Sequence, residues 1–433
     1  MARVMVAMSG GVDSSVAAAL LVSQGHEVIG ATMEVFPDYE QRSEEEGGCC
    51  SLAAIEDAKR VASRLDIPHY TLNFKDVFQR EVIDNFVAEY SRGRTPNPCV
   101  VCNKEIKFAA LLQRARELDC QYVATGHYSR IKTDPDTGRQ LLYRAIDREK
   151  DQSYMLYGFT QHQLQHTLLP LGKHEKTAVR EKARDLGFRV HNKPDSQEIC
   201  FVPDNDYQAF LERNYPEIGE PGDIYYYTGE KIGRHQGLHH YTIGQRRGLG
   251  ISLDHPVYVV EINSHHNALI VAPRERLKFT GLKAEQVNWI AYSSPPEELE
   301  ASVQVRYNSR PVPAKILLNH LADANNKSNN LSSNNHKTNA RGSNHKTNNH
   351  FLDPQPTDSS ADNRPASQFT KSTNQTASTQ NSSRVKVEFN EPCTAVTPGQ
   401  SVVFYQGDLV LGGGIISEGI KEQNYAEKIF AKS

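Results

Sequence analysis

A serine- and glycine-rich loop near the N-terminus has the residue types that bind phosphate. It reads Ser9-Gly10-Gly11-Val12-Asp13-Ser14-Ser15 and separates a predicted strand, Arg3 to Met8, from a predicted helix, Ser14 to Gln24. Glycines let a backbone approach a phosphate closely, and the free N–H groups at a helix N-terminus attract anions. This loop has no Gly-Lys-Ser/Thr tripeptide, which excludes the Walker loop.

Two cysteines stand in polar sequence contexts that favour reactivity over burial. Cys102 comes at the start of a predicted helix, Lys104 to Leu118, and Cys200 follows the polar run KPDSQEI. A helix N-terminus and nearby lysines stabilise a thiolate. Both cysteines, together with Cys99, could instead hold an iron–sulfur cluster, to which they would give three ligands. Zinc is disfavoured because a closed structural zinc site has a fourth ligand.

The order of strand and helix signals along the chain predicts an α/β domain, which would position these residues, followed by β modules. Strands alternate with helices in residues 1–204, which is typical of a parallel sheet covered on both faces. Residues 205–280 are rich in Gly and Tyr with short alternating runs and predict a small β-rich module. Residues 281–433 predict a C-terminal antiparallel β-barrel. Its predicted strands are Gln286–Ala291, Ser302–Arg306, Ala314–Leu318, Val385–Phe389, Ser401–Tyr405 and Leu409–Ile416.

A low-complexity tract rich in Asn, Ser and Thr interrupts the predicted barrel at about 319–384. It contains the unit Asn-His-Lys-Thr-Asn twice, at 335–339 and 344–348. Because the tract has almost no aliphatic residues, we expect it to be a disordered loop between two neighbouring strands. Closing a longer loop costs only about 0.6 kcal/mol per doubling of its length, so the barrel can tolerate it.

Composition limits the function classes. The chain has 433 residues, a net charge of −3 and a mean hydropathy of −0.59, so any nucleic-acid site must be a local basic patch. Basic residues are frequent between Arg130 and Lys193, and Arg246, Arg247 and Arg306 add to them, which predicts one face for RNA. We expect no membrane span, since no stretch approaches 18 apolar residues, and we expect a cytoplasmic protein without a signal peptide.

Several longer motifs, in order along the chain, resemble those of the tRNA-specific 2-thiouridylases, which place sulfur on the wobble uridine of tRNA. Besides the loop and the cysteine segments, they are Ala124-Thr125-Gly126-His127-Tyr128, Lys150-Asp151-Gln152-Ser153-Tyr154, Tyr241-Thr242-Ile243-Gly244-Gln245-Arg246-Arg247-Gly248, Val305-Arg306-Tyr307 and Pro398-Gly399-Gln400. The resemblance covers nearly the whole chain except the Asn-rich tract. It implies an enzyme, a tRNA-uridine 2-sulfurtransferase that uses ATP.

The resemblance also implies roles for individual residues. Cys102 would be the nucleophile, and Cys200 would carry a persulfide and form a transient disulfide with Cys102. The target base would face Asn97, Pro98 and Cys99, of which Cys99 varies in the family. The ATP site would comprise Ala7, Met8, Ser9, Gly10, Gly11, Val12, Asp13, Ser14, Met33 and Gly126. The tRNA contacts would come from His127, Lys150, Asp151, Gln152, Arg306, Tyr307 and Gln400.

The implied chemistry is adenylation of the uracil 2-oxygen followed by sulfur transfer. The partners would be tRNA, through its anticodon arm, and a persulfide donor such as a cysteine desulfurase or a sulfur-relay protein. The loop from Ser9 to Ser15 also resembles that of enzymes that split ATP into AMP and pyrophosphate, in which Asp13 would help hold Mg²⁺. We expect ATP with Mg²⁺ and no tightly bound cofactor. The competing functions are a cluster-dependent tRNA thiolase, an ATP pyrophosphatase that acts on a small molecule, and an RNA-binding protein with a vestigial site. A cysteine pair argues against the small-molecule enzyme, and intact Asp13, Cys102 and Cys200 argue against a vestigial site.

Overall fold

The computed structural model describes residues 1–36, 52–195, 199–202, 205–318, 384–394 and 396–431. All of them belong to one compact unit. The strands, in chain order, are β1 (Arg3–Ala7), β2 (Glu27–Glu34), β3 (His69–Asn73), β4 (Tyr122–Ala124), β5 (Ser129–Thr133), β6 (Gln140–Arg144), β7 (Thr167–Leu168), β8 (Gly222–Tyr226), β9 (Lys231–His235), β10 (Tyr258–Asn263), β11 (Ala268–Ala272), β12 (Phe279–Trp289), β13 (Glu298–Gln304), β14 (Val312–Leu318), β15 (Val385–Cys393), β16 (Ser401–Gln406) and β17 (Leu409–Ile420).

The helices lie mainly in the N-terminal half. In chain order they are α1 (Val12–Ser23), α2 (Leu52–Arg64), α3 (Lys75–Phe78), α4 (Asp84–Ser91), α5 (Pro98–Val101), α6 (Leu111–Glu117), α7 (Gln161–Gln165), α8 (Lys176–Asp185), α9 (Tyr207–Asn214) and α10 (Tyr425–Phe430). Two π-helical segments, Gln79–Ile83 and Cys102–Ala110, join α3 to α4 and α5 to α6. Segments of π-helix are rare and occur often at functional sites.

The N-terminal sheet is parallel, as the strand–helix alternation predicts, with the strand order β3-β2-β1-β4-β7. Strand β1 lies in the middle, and the chain runs outward from it in one direction through β2 and β3 and in the other through β4 and β7. The strand order therefore reverses between β1 and β4. In open α/β sheets a ligand binds at such a reversal, outside the carboxyl ends of the strands.

The central module is a four-stranded sheet with the order β10-β11-β8-β9. Its outer pairs are antiparallel, whereas β11 and β8 are parallel. Strand β11 is buried along its whole length and forms the middle of a small core with Ile224 and Val259. The expectation of short hairpins holds for this region, but the parallel pair in its middle was not predicted.

The C-terminal barrel is closed, as predicted. Six strands follow one another in the order β12-β15-β14-β13-β16-β17, and β17 pairs with β12 to complete the ring. Strands β14 and β15 are antiparallel neighbours, and Leu318 is the register partner of Val385. The low-complexity tract thus joins two adjacent strands, as expected. The expectation that the tract is disordered concerns residues outside the described part of the chain.

A hairpin of the N-terminal half extends the barrel sheet, which the sequence did not predict. Strands β5 and β6 pair with each other, and Tyr143 of β6 is the register partner of Leu409 of β17. The guanidinium of Arg130 reinforces this junction with a 2.8 Å ion pair to Asp408. The domain boundary predicted at 204/205 is therefore crossed by strand pairing. The described residues contain no helix long and apolar enough to cross a membrane.

Candidate active site

The Ser9–Ser14 loop leaves the carboxyl end of β1 and turns directly into α1. Gly10 has a φ of +65°, and a Cβ there would lie 2.2 Å from the carbonyl oxygen of Ala54, so only glycine fits. Gly11 caps α1, and its carbonyl accepts a 2.8 Å hydrogen bond from the Ser15 hydroxyl. The Ser14 hydroxyl accepts from the Ser9 backbone N–H at 3.2 Å. The first turn of α1 therefore begins at the strand-order reversal, where the N-terminal end of a helix attracts anions.

The predicted nucleotide residues come from neighbouring strands of this sheet. Ala7 ends β1, and Met33 lies near the end of β2 and is half-buried. Gly126 follows β4, and a Cβ there would lie 2.7 Å from the Asp13 carbonyl carbon and the Ser14 nitrogen. Gly126 thus allows the β4 loop to contact the first turn of α1. The structure brings these residues to one edge of the sheet, and their contact with ATP stays a prediction.

Lys176 is the functional candidate that sequence reasoning missed. Its ammonium donates to both carboxylate oxygens of Asp13, at 2.8 and 2.7 Å, and the Tyr128 hydroxyl donates to the same carboxylate at 2.8 Å. Lys176 is 8% exposed, which is unusual for a lysine. Lys176 begins α8, far along the chain from the loop, so no local motif pointed to it. The sequence indicated it only as one of the basic residues between Arg130 and Lys193.

Asp195 forms hydrogen bonds and ion pairs with the cations at this edge of the sheet. Its carboxylate accepts from Lys150 at 2.9 Å and from Arg180 at 2.9 Å, and it pairs with Lys176 at 2.8 Å. Burial alone would raise the pKa of Asp195, but hydrogen bonds from Lys176 and Lys150 hold that pKa below its ordinary value. Asp195 is therefore an ionised carboxylate that links the segment after Lys193 to Lys176 and Lys150.

Tyr128 and His127 beside them are both electrically neutral. Burial, followed by the charge and hydrogen bond of Asp13, raises the pKa of the Tyr128 hydroxyl far above its usual range, so that it remains a donor. Burial and then the charge of Lys107 hold the pKa of His127 well below its ordinary value. The His127 ring contacts the Thr125 hydroxyl at 2.7 Å. An uncharged, half-buried His127 can contact RNA by stacking or hydrogen bonding, but not by charge.

The segment with Cys99 and Cys102 is helical from an earlier residue than the sequence predicted. Asn97 caps α5, accepting a 3.3 Å hydrogen bond from the Val100 N–H, and the helical run continues through the π segment that starts at Cys102. The backbone N–H of Cys102 already donates to carbonyls of this run. The first turn of the helix therefore precedes Cys102, and the helix-start argument for a Cys102 thiolate is corrected accordingly.

Cys200 lies in a turn that packs on the same core as the Cys102 helix. Phe201 next to it is fully buried and contacts Phe78, Phe86 and Phe210 edge-on, at ring-centroid distances of 5.2 to 5.7 Å. Cys102 and Cys200 are both half-buried against this cluster. The structure thus places both cysteines on one core. Their roles as nucleophile and persulfide carrier stay predictions.

The predicted tRNA contacts are half-buried and hold the site together. Gln400 donates to the carbonyls of Thr95 and Pro96, and the Tyr307 hydroxyl donates to the Asp151 carbonyl at 3.2 Å. The Arg306 guanidinium donates to the Ile243 carbonyl and to the Thr397 hydroxyl. The Asp151 carboxylate accepts from Arg144, and the Gln152 side-chain oxygen accepts from the Tyr128 N–H. Each of these side chains has a partner inside the protein, so a contact with tRNA would add to a structural role.

The predicted basic face is largely neutralised by acidic residues. Arg130 and Arg148 both pair with Asp408, and Lys193 pairs with Asp57 at 2.9 Å. By contrast, Arg246 and Arg247 are exposed, and within the described ranges no acidic group pairs with either one. These two arginines are the better candidates for phosphate contacts.

Comparison with protein families gives three consecutive matches. Residues 2–204 match the tRNA methyl transferase HUP domain, 208–273 the tRNA methyl transferase PRC-barrel domain, and 347–416 the aminomethyltransferase beta-barrel domain. A solved 4-thiouridine synthetase–RNA complex with bound ATP aligns with 50% of this chain and 51% of its own, at 17% identity and a TM-score of 0.31.

Full-length relatives carry a single name. The tRNA-specific 2-thiouridylase MnmA of Halothermothrix orenii is 51% identical over 418 residues, covering 96% of this chain and 99% of the relative. Proteins of the same name from Carboxydothermus hydrogenoformans and Clostridioides difficile are 44% and 42% identical over 96% of this chain and 98% and 99% of their own. Identity of this extent over whole chains shows common descent, and the chain belongs to the tRNA-specific 2-thiouridylase family.

Proposed function

We propose that this protein carries out the ATP-dependent 2-thiolation of the wobble uridine of tRNA. The observation that carries the proposal is the ion pair between buried Lys176 and half-buried Asp13 of the Ser9–Ser14 loop, at the strand-order reversal, in a chain of this family. The products would be 2-thiouridine, AMP and pyrophosphate. The same edge of the sheet would bind ATP, and the Pro98–Cys102 helix would receive the base.

In the first step, the uracil 2-oxygen would attack the α-phosphorus of ATP and release pyrophosphate. The first turn of α1 and Ser9 would bind the departing pyrophosphate, because backbone N–H groups there attract anions. Lys176 is the cation closest to Asp13, and it would stabilise the charge that develops on the phosphates. Asp13 and Asp195 are the carboxylates that could hold Mg²⁺. A bound Mg²⁺ would neutralise charge on the leaving group.

In the second step, sulfur would replace the adenylated oxygen. On the direct route, the terminal sulfur of a Cys200 persulfide attacks the uracil C2 and expels AMP. On the other route, the Cys102 thiolate attacks the Cys200 sulfur and releases the terminal sulfur as hydrosulfide, which then attacks the uracil C2 and expels AMP. On the direct route, Cys102 then attacks the Cys200 sulfur and frees the thiolated base. Both routes break one S–S bond, form a Cys102–Cys200 disulfide and require a dithiol reductant before the next cycle. The sulfur itself would come from a persulfide donor protein.

The cluster-dependent alternative needs three cysteine sulfurs around one site. Within the described residues, the groups of three or more possible metal ligands whose ligand atoms lie within 4.8 Å of one another do not include Cys99, Cys102 and Cys200 together. Cys99 is also the exposed member of the three. Both observations favour the persulfide route.

Single cysteine variants test this choice. We expect Cys102→Ser and Cys200→Ser each to abolish thiolation while tRNA-dependent pyrophosphate release continues. Cys99→Ser should retain thiolation, and anaerobically prepared wild type should contain no stoichiometric iron. Loss of thiolation in Cys99→Ser together with stoichiometric iron in the wild type would establish the cluster mechanism instead. Retained thiolation in Cys102→Ser or Cys200→Ser would contradict the persulfide route.

A further inference from the structure

A group of three possible metal ligands lies in the central region, in none of the segments used above for ATP or sulfur. Glu212 is on α9, and His239 and His240 end the short 3₁₀ turn Leu238–His240. One ligand atom from each residue lies within 4.8 Å of the other two, and the His240 Nε2 is 3.1 Å from a Glu212 carboxylate oxygen.

His239 supplies an independent sign that this group binds a ligand. Its side chain is 3% exposed, and neither ring nitrogen has a hydrogen-bond partner in the described part of the chain. A buried polar group without a partner is costly, and such groups are rare in native proteins. A metal ion bound by one ring nitrogen would satisfy one of these orphaned atoms.

Two glycines make room for this ring. A Cβ on Gly237 would lie 2.6 Å from the His239 Cε1, and one on Gly219 would lie 3.0 Å from its Nδ1. The ring of His240 lies beside it, with 4.2 Å between the two centroids. Gly219 and Gly237 thus leave room for the His239 ring beside His240.

We propose that Glu212, His239 and His240 bind a zinc ion. Two imidazoles and a carboxylate suit zinc, with bonds of about 2.0–2.2 Å, which small side-chain movements would provide. Glu212 is 57% exposed at its side chain, so water would complete a tetrahedral site. Calcium and magnesium prefer oxygen ligands and fit poorly.

The ion would link α9, through Glu212, to the loop that begins at Tyr241, through His239 and His240. These elements already touch, because the Gln208 side chain donates to the His240 carbonyl at 3.0 Å. The loop continues through Thr242, whose hydroxyl contacts that of Thr95 at 3.2 Å, to the exposed Arg246 and Arg247. Zinc would therefore stabilise the loop next to the Asn97–Cys102 segment. The site itself does not depend on the proposed function.

Metal titration of the full-length protein tests the site. With zinc alone, the wild type should bind about one ion per chain more than His239→Ala or Glu212→Gln, measured by elemental analysis after gel filtration. His265→Ala, which removes an exposed histidine of the same module, is the matched control and should bind as the wild type does. Glu212→Gln changes only an exposed side chain, so its fold is retained even if His239→Ala is unstable.

Cobalt identifies the ligands. Co²⁺ should give visible d–d bands that Glu212→Gln loses, and these bands should persist in a Cys102→Ser/Cys200→Ser protein, because no thiolate is involved. Zinc should also raise the unfolding temperature of the wild type more than that of Glu212→Gln. Equal zinc stoichiometry in the wild type and Glu212→Gln, or cobalt bands that depend only on the cysteines, would overturn the proposal.

Discussion

The side-chain amide of Gln400, at the end of a barrel turn, donates to the carbonyl oxygens of Thr95 and Pro96, at 3.0 Å in each case. Gly399 before it packs on Thr95, where a Cβ would lie 2.8 Å from the Thr95 carbonyl oxygen. The C-terminal barrel thus fixes the two residues that lead into the Asn97 cap. Through these contacts the barrel sets the position of the helix that contains Cys99 and Cys102.

Replacing Gln400 should therefore impair sulfur transfer more than ATP cleavage. We expect Gln400→Leu to lower the rate of thiolation about tenfold or more, since small misplacements of reacting groups cost this much. Gln406→Leu is the matched control, because Gln406 is an exposed glutamine at the end of β16, the strand that also contains Tyr405. Single-turnover thiolation and pyrophosphate release should be measured together. A proportional fall in both rates would argue against a positioning role for Gln400.

The second prediction concerns Lys176. Lys176→Met should reduce pyrophosphate release by at least about a hundredfold, as losses of single transition-state donors do. Binding of tRNA should change little, because Lys176 is buried against Asp13. Lys182→Met, an exposed lysine on the same helix, serves as the control. Asp13→Ala should show the same loss as Lys176→Met. Normal pyrophosphate release in Lys176→Met would show that the pair is only structural.

The third prediction concerns Arg246 and Arg247. Replacing both with alanine should weaken tRNA binding and reduce the slope of log K against log salt by about 1 to 2, because each phosphate contact releases counterions. Arg114→Ala is the control, since Arg114 is exposed but paired with Glu117. Filter binding over a series of salt concentrations measures the slope. An unchanged slope would place the phosphate contacts elsewhere.

The fourth prediction concerns the low-complexity tract. Deleting about Asn325 to Ser382 and joining the ends with a short turn should leave the unfolding temperature and the thiolation rate nearly unchanged. Leu318 and Val385 are register partners, so a hairpin turn can connect β14 to β15 directly. A folded deletion variant that has lost thiolation would show that the tract takes part in the reaction.

The sequence predicted the parallel sheet, the barrel and the position of the Ser9–Ser14 loop between β1 and α1, because each has a local signature. Alternating strands and helices, short alternating runs and the Ser-Gly-Gly turn are all properties of neighbouring residues. It did not predict that Lys176 would contact Asp13, or that Gln400 would hold Thr95. Those contacts join residues far apart in the chain, and each long side chain in isolation looks like an ordinary surface residue.

The start of the cysteine helix was misplaced for a physical reason. Pro98 suggests a break, yet proline is well tolerated in the first turn of a helix, where its missing N–H has no partner to lose. Asn97 ahead of it is a strong N-cap residue. Together, Asn97 and Pro98 are a start signal that predicts the helix four residues before Cys102.

The pairing of β6 with β17 has a consequence for how the chain is made. Arg130 and its ion-pair partner Asp408 are 278 residues apart in the sequence. During synthesis the ribosome must therefore release the β5–β6 hairpin long before the strand that covers its edge. An uncovered edge can pair with other chains, and contacts of long sequence separation form slowly. The edge of β6 therefore stays uncovered until β17 has emerged.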